Sequence, residues 1–331
     1  MKSAAGAALC ALPLLASLCV SDTTSTLARL MITVGAWAAM AAIASGRLWA
    51  QAEPAHCLAA SAFALPLHWV AQGLLRGDDP AAAWRALLET HGVHWFTNAL
   101  IAMGMVIYTV IGVPFLIADI TERPVWLQKL RAQPHVMRDW RATLPRLLMV
   151  AGGNTIAGGA IAMLLTSRFP EVNLLPQGAL RPELPTHAQF VREYVLLVLF
   201  YEVVFYYSHS ALHTKTLYAS IHKVHHEWKT PTAMSATFAH PVEFLLSNFA
   251  PGYLGACLFQ THYLTMAFFM AEGLCATMWA HSGYELWPNA GAHDKHHQFF
   301  VGNYGHLGLC DWLHGTTRTD APSKSKSNKA G

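Results

Sequence analysis

Apolar residues in this chain run in blocks. Near 4–20, 30–46, 57–72, 95–118, 147–166, 193–207, 242–258 and 262–280 the sequence passes a dozen or more positions with few charges or none. A hydrocarbon core about 30 Å thick is crossed by a helix of roughly 20 residues, so the pattern predicts an all-α, polytopic transmembrane bundle. The first block, AAGAALCALPLLASLCV, follows a single lysine and is rich in small residues. It reads either as a retained span or as a signal peptide. The stretch 242–280 is long enough, at about 1.5 Å per residue, for two crossings joined by a turn near Gln260 and Thr261. Asn248, Pro251 and Gly252 interrupt it, so a re-entrant hairpin is the alternative.

One polar interruption orients the rest. The segment ERPVWLQKLRAQPHVMRDWRATLPR carries Arg123, Lys129, Arg131, Arg138, Arg141 and Arg146 against Glu122 and Asp139, and basic loops stay cytoplasmic. If 147–166 leaves the cytoplasm and 193–207 returns, residues after Tyr207 emerge on the cytoplasmic side. A hairpin at 242–280 then brings 281–314 back to that side. Three regions follow: N-terminal helices and basic loop (1–146), a C-terminal domain (147–318) and a polar tail (319–331).

Composition agrees with lipid as the solvent: 53% of residues are hydrophobic and 12% charged. The net charge of +3 comes without a basic stripe interleaved with aromatics, so nothing points to nucleic acid. Six cysteines are scattered without a C-x-x-C pair and read as small core hydrophobes. The lysines of PSKSKSNKAG read as a solvated end.

Histidine changes the picture. Thirteen of the 19 histidines lie between 209 and 314. His209 and His213 are spaced H-x3-H; His222, His225 and His226 form H-x2-H-H; His293, His296 and His297 repeat it. Residues three and four apart share a helix face, so each triplet is expected to aim its imidazoles at one point. Imidazole near lipid is costly unless each ring has a partner. Eight such rings exceed what one ion accepts, since zinc usually takes four ligands and octahedral iron six, so two metals are implied. Glu202, Glu227, Asp294 and Asp311 lie nearby, read either as carboxylates orienting ligand N–H groups or as caps. His306 and His314 read as locally hydrogen-bonded, His262 as belonging to a far-side turn, and Tyr206, Tyr207 and Trp279 as an interfacial belt. No G-x-S-x-G or H-E-x-x-H marks a hydrolase, and no G-x-G-x-x-G or H-P-G-G marks an internal electron donor.

From YYSHSALHT through IHKVHHEWKTP, AHPVE and HSGYELWP to HDKHHQFFVGNYG and CDWLHGT, the chain resembles the membrane-bound fatty acid hydroxylase superfamily, which includes sterol desaturases and C4-methylsterol oxidases. The resemblance implies a helical cap on the cytoplasmic side of the bundle, holding two non-haem irons. It implies a monooxygenase of the endoplasmic reticulum that uses O₂ to oxidise a membrane lipid, with electrons from NAD(P)H delivered by a reductase and cytochrome b5. Zinc is a substitute to expect in a purified sample. Carried over position by position, His209, His213, His222, His225, His226, His293, His296 and His297 look like ligands, with His281 of HSGY completing the set. Ser210 and Thr214 stand where many relatives have arginine and a further histidine. AHPVE, with His240 and Glu243, looks most like the methylsterol oxidase branch and the related fatty acid hydroxylase domain-containing proteins, and the former makes a sterol C4-methyl group the first candidate substrate. Fatty acyl, sphingolipid or ether-lipid hydroxylation is the alternative. An inactive metal-binding scaffold and a metal transporter are the readings from other classes; the latter would need ligands midway through the spans.

Overall fold

The computed structural model describes residues 79–136, 138–169, 171–286 and 291–318. The blocks at 4–20, 30–46 and 57–72, and the tail 319–331, lie outside the described residues. Within them all regular structure is helical, apart from one isolated bridge between Arg131 and Tyr284.

Helix α1 (Pro80–Thr90) starts on Asp79, whose carboxylate accepts from the Ala81 amide. α2 (Val93–Thr121) and α3 (Val125–Gln128) follow. α4 (Trp140–Arg168) contains a π-turn at Leu148–Gly152. It begins inside the basic loop because Asp139 accepts from the amides of Arg141 and Ala142, so the division drawn at 146/147 falls within this helix. α5 (His187–Leu212) extends the block 193–207 at both ends. At its start Thr186 and Gln189 form a capping box, which satisfies two amides reciprocally. α6 (residues 215–222) closes in a π-turn, and α7 (residues 241–258) carries another at Phe244–Phe249, just ahead of Pro251. α8 (Tyr263–Ala280), α9 (Ala292–Phe299) and α10 (Leu309–His314) complete the order.

Three of these helices, α2, α4 and α5, are long and apolar enough to cross a membrane. Their outer faces are hydrocarbon: Val106, Val110, Ile156 and Leu164 are each 59–64% exposed. A face of that kind suits lipid, which makes no demand for hydrogen bonds. The stretch 242–280 forms a hairpin of α7 and α8. Neither arm joins the three long spans: α7 is broken by its π-turn and proline, and α8, with Glu272 at its middle, is less apolar than they are.

The helices alternate in direction between two poles. At one pole Trp84 and Phe96 pack on Tyr263, the Tyr263 amide donates to Ala179, and the His262 amide donates to Glu193. The starts of α2, α5 and α8 therefore lie together, and all three run toward the opposite pole. There Tyr284 donates to Asp119 near the end of α2, while His222 meets Glu243 at the start of the returning α7. The basic loop lies at this second pole. Arg131 pairs with Asp119, Arg138 lies 3.8 Å over the Trp228 ring and bonds the Thr230 carbonyl, and Arg146 pairs with Glu227.

Candidate metal centre

The second pole is built from helix ends. His209 occupies the last turn of α5 and His213 caps it; His281 caps α8 in the same way. Helix C-termini present unsatisfied carbonyls and partial negative charge, which favours cations beside them. The remaining rings come from α6 and the 3₁₀ turn His225–Glu227, and from α9.

The nine histidines fall into two groups, each able to hold a metal ion. His209, His213, His222, His226 and His296 form one, and His225, His281, His293 and His297 the other; within a group the ring nitrogens lie within 4.8 Å of each other. Neither triplet aims at a single point. In each, the residues four apart join one group and the residue between them joins the other. The reason is clear on α9, where 100° per residue puts His293 and His297 about 40° apart around the axis but turns His296 roughly 100° away from His297. The two H-x2-H-H boxes thus interlock, each serving both groups.

Hydrogen bonds on the outer edges of the rings decide which nitrogen faces inward. Nδ1 of His209, His225, His281 and His296 lies 2.7–2.9 Å from the carbonyls of Tyr304, Phe238, Thr277 and Gly302. A carbonyl only accepts, so each Nδ1 carries the proton and each Nε2 a lone pair. Nδ1 of His222 similarly meets Glu243 Oε1 at 2.8 Å. The inward nitrogens then approach one another: His225 and His281 at 3.3 Å, His281 and His293 at 3.0 Å, His213 and His222 at 3.0 Å. Between His225 and His281 both nitrogens are acceptors, and no hydrogen bond can join them. A cation between the lone pairs resolves the conflict, since two nitrogens each about 2.1 Å from one ion lie roughly 3 Å apart. Nε2 of His209 is buried and has no hydrogen-bond partner among the described residues. The donor set therefore fits metal ions.

Burial keeps these rings neutral. It pushes His213 and His281 down to about 3 and His225 to about 4, and holds His222, His226, His293, His296 and His297 well below the ordinary imidazole value. Neighbouring imidazoles add to the same effect. A neutral imidazole is the ligating form.

The carboxylates named from the sequence do other work. Glu202 accepts from the amides of Leu307 and Cys310, and Asp311 from those of Tyr304 and Gly305. Together they fold the 302–311 loop, whose carbonyls then orient His209 and His296. Glu227 is taken by Arg146, and Asp294, pushed up to about 6 by burial, accepts from Gln133. The carboxylate that orients a ring directly is Glu243 of AHPVE, which the histidine spacing gave no reason to single out. His240 caps the start of α7 and His262 the start of α8; neither joins a metal group. His314 bonds Tyr207, as expected of a local partner. Tyr206 departs from the interfacial reading: it is buried, stacked on His314 and bonded to Thr316.

Behind the rings opens a cavity of about 620 Å³, walled by α2, α4, α5, α7 and α8. His209, His222, His225, His281 and His293 stand at its end, and Leu100, Ile101, Met105, Leu165, Phe244 and Met270 are among its apolar walls.

A membrane-type helical protein with paired polyhistidine sites at the end of a greasy cavity is the class that fold and site define. Residues 194–316 match the family model described as fatty acid hydroxylase, and the resemblance read from the motifs holds over that segment. Human fatty acid hydroxylase domain-containing protein 2 is 41% identical over 138 residues, 41% of either chain. Fatty acid hydroxylase ahd1 of Mycosarcoma maydis is 31% identical over 210 residues, 62% of this chain and 53% of that one. Methylsterol monooxygenase 2-2 of Arabidopsis thaliana is 35% identical over 139 residues, 37% of this chain and 52% of its own. The chain thus spans about two fifths to just over half the length of these relatives. No solved structure matches it.

Proposed function

We propose that the protein is a membrane lipid oxygenase that hydroxylates an unactivated C–H bond with O₂ at two non-haem irons, held by His209, His213, His222, His226 and His296 and by His225, His281, His293 and His297. The observation that carries this reading is the set of Nε2 atoms facing one another at 3.0–3.3 Å, with opposed lone pairs between His225 and His281, at the end of an apolar cavity. Iron bound there would supply the O₂ chemistry that acid–base groups cannot. The chain's own part is to fix His209, His222, His225, His281 and His296 through their outer nitrogens, keep the rings neutral, and press a hydrocarbon against the site with water excluded by walls such as Phe244 and Ile101. Two electrons per turnover come from outside; NAD(P)H through a reductase and cytochrome b5 is the donor we propose, at the cytoplasmic face of the endoplasmic reticulum.

Motif likeness through AHPVE makes a sterol C4-methyl group the first candidate substrate, with acyl, sphingolipid or ether-lipid chains as the alternative. Purified protein should hold two metal ions per chain, and His225→Ala and His296→Ala should each empty at least one site; full occupancy in both variants ends the assignment. Zinc in place of iron is compatible only if iron restores turnover. Cells lacking the protein should accumulate C4-methylated sterols, unrelieved by the His296→Ala variant. An unchanged sterol profile with altered acyl or ether lipids selects the alternative, and no lipid change under ample iron and O₂ selects the scaffold reading.

A further inference from the structure

The cavity holds an ionisable group that neither the metal sites nor the loop around them uses. Glu272 lies in the middle of α8 and lines the cavity. Its Oε2 meets the Tyr194 hydroxyl at 3.2 Å, and among the described residues no hydrogen bond engages Oε1. Tyr201, two turns from Tyr194 on α5, lines the same wall; its hydroxyl reaches the Asn248 carbonyl at 3.4 Å. Apart from these two tyrosines, Phe269 and Met270 on α8 and Leu100 on α2 are among the apolar residues that line the same cavity. A carboxyl group at lipid depth is costly and persists where it has a polar task. A carboxyl oxygen that faces the cavity without a protein partner is free to bond a ligand group.

Its distance from the metal pole follows from helix geometry. Nine residues separate Glu272 from His281 on α8, so that helix places Glu272 about 13–14 Å along its axis from the rings. An extended hydrocarbon, with bonds of about 1.5 Å at near-tetrahedral angles, covers that span in roughly ten carbons.

We propose that Glu272, held by Tyr194, is the recognition point for a hydroxyl or similar hydrogen-bonding group on a chain lipid whose reacting carbon lies roughly ten carbons away. The inference rests on the reading of this cavity as the lipid site of the oxygenase. It favours the chain-lipid alternative over the sterol that motif likeness places first. A sterol oxidised at a C4-methyl group carries its 3-hydroxyl beside the reacting carbon and offers only hydrocarbon to Glu272. A chain with a terminal hydroxyl satisfies both ends.

The test uses the full-length protein in detergent, with displacement of a fluorescent fatty acid by hexadecan-1-ol, n-hexadecane and a 4,4-dimethylsterol. Wild-type protein should prefer the alcohol to the alkane by roughly tenfold, the worth of a hydrogen bond made away from water. Glu272→Leu should erase that preference and leave alkane affinity unchanged, while Glu272→Gln, which keeps a hydrogen-bonding end, should retain part of it. Metal content equal to wild type certifies that each variant is folded. In iron-loaded protein the alcohol should be oxidised far along the chain. Equal affinity for alcohol and alkane in wild type, a preference that survives in Glu272→Leu, or oxidation next to the hydroxyl each overturns the proposal. So does tight sterol binding indifferent to Glu272, which leaves the oxygenase reading standing. Failure of all three probes to displace the fatty acid removes the lipid-site reading itself, and the proposal with it.

Discussion

At the scale of single residues, the rings depend on what holds their outer nitrogens. Glu243 accepts from His222 at 2.8 Å, and both side chains are buried. Outer partners of this kind are typically worth 10–100-fold in metal affinity. Glu243→Ala should lose metal to a chelator 10–100 times more readily than wild type, whereas His240→Ala, which removes only a helix cap, should keep its metal. Equal retention in the two variants would count against an orienting role for Glu243. Acid should act through the rings themselves. His213, His225 and His281 titrate near 3–4 when folded and near 6.5 when not, so the unfolded chain binds more protons between those values and stability rises with pH there. Stability from this source is complete above about pH 6.5 and drains as pH falls toward 3–4. Melting of the chelated protein should therefore move to lower temperature between pH 7.5 and pH 5; a flat profile contradicts the burial of these rings.

At the scale of elements, the 302–311 loop links two buried carboxylates to two rings. Gly302, at φ +79°, supplies the carbonyl for His296. A Cβ on Gly305 would lie 2.7 Å from Glu202 Oε1 and 2.9 Å from Asp311 Oδ2. Gly305→Ala should therefore shift the Tyr304 carbonyl away from His209, costing more than about 1 kcal/mol of stability and lowering metal content with it. A thermal melt and metal analysis like wild type would show that the loop accommodates the methyl group. The buried segment 230–239 makes the same kind of link from the other side. The carbonyls of Met234, Thr237, Phe238 and Ala239 accept from Tyr108, Asn154 and His225, which satisfies these backbone groups inside the protein.

At the scale of the whole molecule, alternating helices put every histidine of the two groups at one pole and the 259–262 turn at the other. Cysteines introduced at the exposed positions Lys223 and Gln177, in a background without native cysteines, should label from opposite sides of sealed membranes, with Lys223 cytoplasmic. Labelling from one side would mean that α5, which separates the two positions, does not cross the bilayer.

Several of these features follow from the sequence alone. Long uncharged blocks can be little but lipid-facing helix, since only intrasegment hydrogen bonds satisfy a backbone in hydrocarbon. Histidines repeated at three and four residues, with HSGY between them, are a chemical statement that survives without coordinates, and all nine converge in space. The basic loop and the span arithmetic placed both H-x2-H-H boxes at one end. Tertiary structure decided the rest. How each triplet divides between two groups depends on helix phase and on α6 ending in a π-turn, which spacing cannot reveal. Glu243 reaches His222 across 21 positions, and the carbonyls of Phe238, Gly302 and Tyr304 carry no side-chain signature at all. Glu272 is one acid in an apolar run until five helices close a cavity around it; only then do its distance from the rings and its open oxygen acquire chemical meaning.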